Sequence, residues 1–136
     1  MGIEGLADFI AETVERGKIV EAGIGFQLKV ALRLKELGYD VLAVDWNEKV
    51  IENARKAGIN AVRDDLFKPK LELYQGAKAV YSVRPTPEIV VPILRLGEAL
   101  KVPVYILPFS GDPRVRGTRL VNFRGLAIYV YNPKRK

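Results

Sequence analysis

The 136-residue chain contains no cysteine and no histidine. Without cysteine there are no disulfides, no thiolate nucleophile and no zinc–thiolate site. Without histidine the usual general base at neutral pH and the commonest metal ligand are both gone, and no metal site is expected. Long apolar runs are missing too. None approaches the ~20 residues that span a bilayer and no signal peptide is recognisable, so no membrane partner and a cytoplasmic location are expected. Repeats, low-complexity tracts and linkers are also lacking, and the length suits one domain, 1–136, rather than two. What is present is a hydrophobic fraction of 49%, enough to build a real core.

Charge is unevenly spread. The net value is +6, yet residues 101–136 hold 8 basic side chains against Asp112 alone, while the first 100 residues hold 14 basic and 15 acidic. That asymmetry fits an anionic partner such as RNA, or a solvated basic end. The candidate phosphate contacts are Arg114, Arg116 and Arg119, expected to cluster in the loop after the fifth strand, on the same side of the sheet as the other strand-end loops. Arg124 is expected on the opposite side, and 133–136 form a basic tail ending in Lys134, Arg135 and Lys136.

Hydrophobic spacing predicts an N-terminal helix over 3–16 and then a regular alternation. Strands are expected at "KIVEAG", "DVLAVDW", "INAVRDD", "AKAVYSVRP" and "VPVYILPF". Between them, "FQLKVALRLKELG" reads as an amphipathic helix, and "NEKVIENARKAG" as a helix capped by Asn47. "TPEIVVPILRLGEAL" is a helix with Thr86 as cap, Pro87 in its first turn and a slight bend at Pro92. Pro69 and Gly76 restrict 66–78 to a turn or two. "RLVNF" and "LAIYVY", separated by Arg124-Gly125, form a hairpin with glycine supplying a positive φ. The pattern is α/β: a single doubly wound, mostly parallel sheet with a C-terminal antiparallel hairpin. Ligands of such sheets sit outside the carboxyl ends of the strands.

Those ends carry acids. The first strand closes with Glu21-Ala22-Gly23-Ile24-Gly25, where the glycines permit a tight turn and close approach of a ligand to the backbone at the start of a helix. A dinucleotide fingerprint would need a third glycine at position 28. Leu28 stands there, and Glu21 would repel pyrophosphate. Asp45 ends the second strand 20 residues beyond Gly25, a spacing that suits a carboxylate accepting hydrogen bonds from ribose hydroxyls; otherwise it is a capping or surface acid. Trp46, the one tryptophan, could cover an adenine face or fill the core. Asp64-Asp65, followed by Leu66 and Phe67, could receive an adenine amino group against an apolar wall, or form an ordinary acidic turn.

Glu21-x-Gly23-x-Gly25, Asp45 and Asp64-Asp65 together resemble the first three motifs of class I S-adenosylmethionine-dependent methyltransferases. The resemblance covers residues 18–107 and implies a Rossmann-like fold of methyltransferase type. It also implies S-adenosylmethionine or S-adenosylhomocysteine as cofactor. Glu21, Gly23 and Gly25 would lie by the methionine part, Asp45 by the ribose, and Asp64 and Asp65 by the adenine, which Trp46 could also cover. A cationic sulfonium ligand suits Glu21, as pyrophosphate does not. The whole chain, with "YSVRPTPE" and the "NFRG" turn, is similar to a small family of uncharacterised archaeal proteins of methyltransferase-like fold.

The fourth strand departs from the pattern. Amino-methyltransferases often place Asp or Asn, then Pro-Pro and an aromatic, after it; here Tyr81-Ser82-Val83-Arg84-Pro85-Thr86-Pro87 follows. Tyr81, Ser82 and Arg84 are the candidate acceptor-site or catalytic residues, or else a plain strand-to-helix turn. Three functions therefore stay open. They are a small methyltransferase of unknown acceptor, with RNA as the candidate; a non-catalytic adenosine-ligand binder or regulatory subunit; and a nicotinamide-dependent oxidoreductase, which Leu28 and Glu21 disfavour. Tyr74-x-x-x-Lys78 has the spacing of a short-chain dehydrogenase pair, but Gly76 interrupts it and its phosphate loop is defective.

Overall fold

In the computed structural model, which describes residues 2–133, the chain order is α1 (Gly5–Thr13), β1 (Lys18–Ala22), α2 (Lys29–Glu36), β2 (Asp40–Asp45), α3 (Glu48–Lys56), β3 (Asn60–Arg63), a 3₁₀ turn (Leu71–Tyr74), β4 (Ala77–Val83), α4 (Pro87–Leu100), β5 (Val104–Leu107), β6 (Arg119–Phe123) and β7 (Leu126–Tyr131). The strands form one sheet in the order β3-β2-β1-β4-β5-β7-β6. β1 to β5 are parallel, and β7 runs antiparallel to both β5 and β6. The chain winds outward from β1 to β3, then returns to start again at β4 beside β1. This reversal opens a crevice above the carboxyl ends of β1 and β4.

Two apolar layers cover the sheet. On one face α1, α2 and α3 bury Leu6, Ile10, Val30, Leu34, Ile51 and Ala54 against Ile19, Val41, Ala61 and Tyr81. On the other, α4 and the segment around Tyr74 bury Ile93, Leu96, Leu66 and Tyr74 against Val20, Val44, Val80, Val104 and Ile106. The near-continuous burial of β1, β4 and β5 is what a parallel sheet covered on both faces requires.

Several boundaries differ from the sequence reading. α1 is shorter than 3–16: Val14 is already extended, and the Thr13 hydroxyl bonds back to the Phe9 carbonyl and across to the Tyr105 hydroxyl. α2 starts at Lys29 rather than at Phe26; Leu28 at the cap position makes no side-chain bond, and the Gln27 side-chain oxygen takes the Lys29 N–H. Asn47 does cap α3, accepting from the N–H groups of Lys49 and Val50. Thr86 occupies the cap position of α4 with an extended backbone, but its side chain makes no cap bond. α4 runs through Pro92, which is buried and has no N–H to donate to the preceding turn. In the hairpin both Arg124 (φ 51°) and Gly125 (φ 84°) are left-handed, the conformation of a type I′ two-residue turn.

Gly97 fixes the distance between α4 and the sheet. A β-carbon there would stand 2.1 Å from Val104 Cγ2 and 3.2 Å from the Val102 carbonyl oxygen. Gly97→Ala gains helix propensity but must push α4 off β5, so it should lower unfolding free energy by about 1–3 kcal/mol in a denaturant titration. An unchanged or higher midpoint would show that the contact is relieved without cost.

Candidate functional site

The crevice is a cleft of about 740 Å³ bounded by the loops that follow β1, β2, β3, β4 and β5. Gly23 and Ile24 both donate their N–H groups to the Val44 carbonyl, at 2.8 and 3.1 Å, which closes the first turn onto β2. Gly25 (φ 60°) then faces open space, and its N–H donates to Asp45 Oδ2 at 3.0 Å. The other oxygen, Oδ1, accepts from the Asn47 N–H at 2.9 Å. Asp45 is half-buried, and each of its oxygens keeps a further lone pair for a ligand. Trp46 stands outside β2 and is largely exposed; the guanidinium of Arg63 lies 4.3 Å from its ring centroid. The tryptophan is thus a cleft wall and not a core residue.

Asp64 and Asp65 differ in surroundings. Asp64 is buried, with Oδ2 accepting from the Tyr74 hydroxyl at 2.5 Å and the Lys70 N–H at 3.1 Å. Burial and the Asp64 carboxylate together hold the Tyr74 hydroxyl above the ordinary tyrosine range. Asp65 is more accessible, and its Oδ1 takes the Phe67 N–H at 2.9 Å. One acid therefore anchors the 65–74 segment while its neighbour turns the chain so that Phe67 reaches the rim. Tyr74 and Lys78 do not act as a pair: Tyr74 donates to Asp64, and Lys78 makes a salt bridge to Glu15.

Arg84 is exposed at the cleft and left-handed (φ 51°), fixed by its N–H to the Leu107 carbonyl at 2.6 Å. Its guanidinium carbon lies 5.5 Å from the Phe109 ring centroid. Tyr81 and Ser82, grouped with Arg84 by the sequence reading, do not line the cleft. Both are fully buried in β4, where neighbouring side chains alternate between the two sheet faces. Ser82 donates to the Ala22 carbonyl at 2.7 Å, tying β4 to β1.

Glu21 also needs correcting. It is fully buried beside Tyr81, whose hydroxyl donates to Oε1 at 2.5 Å, and Oε2 has no hydrogen-bond partner. It does not line the cleft. Desolvation raises its carboxyl to about 8, opposed by the Tyr81 hydrogen bond and reinforced by the Asp45 charge. At neutral pH it is largely protonated, so it offers a ligand no full negative charge. Tyr81 in turn is held well above its ordinary value, chiefly by burial and then by Glu21.

The basic residues are dispersed. Arg114 and Arg116 lie on the loop after β5, in a second groove of about 280 Å³. Arg119 belongs to β6 and pairs with Val130, which pairs with Tyr105. That register sets it beside the first half of β5, away from the strand ends, so the three arginines are not one cluster. The same register carries the 124–125 turn past Leu107, to the cleft's end of the sheet and not the opposite one. There Arg124 is engaged by Asp8 at 3.2 Å. Lys134, Arg135 and Lys136 lie outside the described residues.

The structure thus brings Gly23, Gly25, Asp45, Trp46, Asp64, Asp65 and Arg84 to one cleft. Sequence reasoning missed Phe26, Glu88, Ile89 and Phe109, which also line it. Phe26 and Phe109 could have been found by asking which side chains directly follow a parallel strand. Among the described residues no group of His, Cys, Asp or Glu is placed to hold a metal ion, and no helix is long and apolar enough to cross a membrane.

This sheet order, hairpin and cleft define the fold of the S-adenosylmethionine-dependent methyltransferases. A TehB-like S-adenosylmethionine-dependent methyltransferase from Corynebacterium glutamicum superposes with a TM-score of 0.73 at 20% identity, covering 98% of this chain and 89% of that one. An RNA methyltransferase from Salinibacter ruber, solved with S-adenosyl-L-homocysteine, gives 0.68 at 15% identity over 100% and 95% of the two chains. These likenesses are of fold. The chain belongs to the uncharacterised protein family UPF0146, whose model matches residues 3–133. A member from Pyrococcus abyssi is 52% identical over 128 residues, 94% of this chain and 98% of that protein. One from Methanocaldococcus jannaschii is 35% identical over 133 residues, 96% of each.

The state of Glu21 gives a pH prediction. Its folded value of about 8 lies above the ordinary 4.5, so between those values the folded chain holds a proton that the unfolded chain has lost. Stability is then full below about pH 4.5 and falls as pH rises towards 8. Glu21→Gln removes that titration. Relative to wild type, the variant should gain stability across this window, by about 3–5 kcal/mol at most, in melts at matched pH. Parallel pH profiles for the two proteins would contradict the buried-acid assignment.

Proposed function

We propose that the cleft binds S-adenosylmethionine, or its demethylated product S-adenosylhomocysteine, and that the protein is a small methyltransferase. The observation that carries this reading is Asp45. It is a half-buried carboxylate at the end of β2, locked by the Gly25 and Asn47 N–H groups, with free lone pairs at the mouth of the cleft. Such a group receives the paired hydroxyls of a ribose. Trp46 beside it offers a flat apolar wall for adenine, and Asp65 an acceptor for the adenine amino group. The Gly23–Gly25 turn leaves room along the cleft for the methionine part.

Electrostatics at the β2 and β3 end of the cleft favour a cofactor without phosphate. Asp45, Asp64 and Asp65 lie there, while Arg84 stands with Glu88 at the β4 end. α2 begins only at Lys29, so its N-terminus does not abut the glycine turn as a pyrophosphate site requires. A sulfonium and an ammonium group suit that field better than a dinucleotide. Methyl transfer itself asks mainly for alignment of nucleophile and methyl group. A second reading, a non-catalytic adenosine-ligand binder, is favoured by one observation: Tyr81 and Ser82 are buried, so of the three residues expected to act at the β4 end only Arg84 reaches the cleft.

Isothermal calorimetry with S-adenosylmethionine, S-adenosylhomocysteine and NAD tests the cofactor. The first two should bind and NAD should not; binding of NAD alone would end the reading. Asp45→Ala should weaken S-adenosylhomocysteine by roughly 2–4 kcal/mol with an unchanged circular dichroism spectrum. Equal affinity in that variant would remove Asp45 from the site. Arg84→Ala should abolish methyl transfer from labelled cofactor to host RNA or protein while leaving cofactor affinity nearly unchanged. If wild-type protein transfers no methyl group to any fraction, the binder reading prevails.

A further inference from the structure

Four aromatic side chains of the described residues are exposed: Phe26 (65%), Trp46 (62%), Phe67 (62%) and Phe109 (50%). All four line the same cleft. Scattered exposed apolar groups are ordinary, but their convergence on one concavity marks a surface for a flat apolar partner. The sheet order divides them. Trp46 and Phe67 follow β2 and β3, at the end assigned to adenine. Phe26 and Phe109 follow β1 and β5 and flank the end of β4, where Arg84 stands over Phe109. A single cofactor accounts for the first pair and leaves the second unused.

We infer that Phe26, Phe109 and Arg84 form the acceptor site, and that they take a nucleotide of single-stranded RNA, its base stacked on the phenyl rings and its phosphate held by Arg84. The inference rests on the cofactor reading above. Stacking on aromatic rings with a guanidinium alongside is how unpaired bases are held. Arg84 is pinned in a left-handed backbone conformation by the Leu107 carbonyl, the kind of strained position that clusters at ligand sites. A strand is favoured over a free nucleotide by the adjoining groove. Pro85 lines both hollows, and the second carries Arg114 and Arg116, both exposed, against Asp112. A chain leaving the cleft over Pro85 therefore meets two further cations within the next phosphates.

The probe is a short single-stranded RNA carrying one 2-aminopurine, whose emission falls on stacking, compared with the 2-aminopurine ribonucleoside monophosphate. Both are titrated into full-length protein saturated with S-adenosylhomocysteine. The RNA should bind and be quenched, and Phe26→Ala and Phe109→Ala should each weaken it roughly ten-fold while calorimetric affinity for S-adenosylhomocysteine stays unchanged. The double variant Arg114→Gln/Arg116→Gln should reduce the salt slope of log affinity by one to two (about 0.7 per phosphate on a single strand). At least ten-fold preference for the RNA identifies a strand; equal affinity for the monophosphate identifies a free nucleotide and overturns the strand. Binding seen only when S-adenosylhomocysteine is left out, binding indifferent to both phenylalanines, or no binding of either probe would overturn the site. Absence of S-adenosylhomocysteine binding in wild type would instead show that the cofactor reading has failed.

Discussion

Asp45 joins two loops at once: one oxygen holds the Gly25 N–H after β1, the other the Asn47 N–H at the start of α3. With the Val44 carbonyl taking two further N–H groups from Gly23 and Ile24, the ends of the first two strands become one rigid corner. The cleft wall is built on that corner. Trp46 follows Asp45 and meets the Arg63 guanidinium on the β3 side, and the Gly25 face stays clear. An acid satisfied by backbone donors, with lone pairs to spare, can shape a site and bind in it at once.

A second tie runs beneath. Tyr81 and Glu21 bind each other across β4 and β1, and Ser82 bonds to Ala22 one residue further on. These side chains stitch the two strands that flank the topological reversal, where the parallel ladder carries the cleft floor. Glu21 is buried as a largely neutral acid, which lowers the cost of its position, yet one oxygen remains unsatisfied. A buried, half-satisfied acid next to a cleft is sensitive to whatever changes local charge. The nearby Asp45 already contributes to its raised proton affinity.

The alternation of strands and helices was readable because parallel strands covered on both faces show as apolar runs, and because Asn47, Gly38 and Gly58 punctuate them. The place of Asp45 at the end of β2 was readable from the strand pattern. Glu21 was not, since its partner Tyr81 lies 60 residues away and only strand pairing brings them together. Tyr81 and Ser82 were misjudged for the same reason: a sequence shows that a strand ends, but not where its last side chain leaves the core. The start of α2 was missed because Phe26 and Leu28 continue an apolar pattern that the backbone does not follow. Arg119 and Arg124 were placed wrongly because the hairpin register, not the order of residues, decides which end of the sheet each occupies.

The central claim is that one cleft of this UPF0146 protein receives an adenosine cofactor at the Asp45–Trp46 end. Trp46 is the only tryptophan, so its emission reports on that end alone. Titration with S-adenosylhomocysteine should change the intensity saturably, and Asp45→Ala should shift the midpoint to much higher concentration. An emission that ignores S-adenosylhomocysteine but responds saturably to NAD would contradict the account.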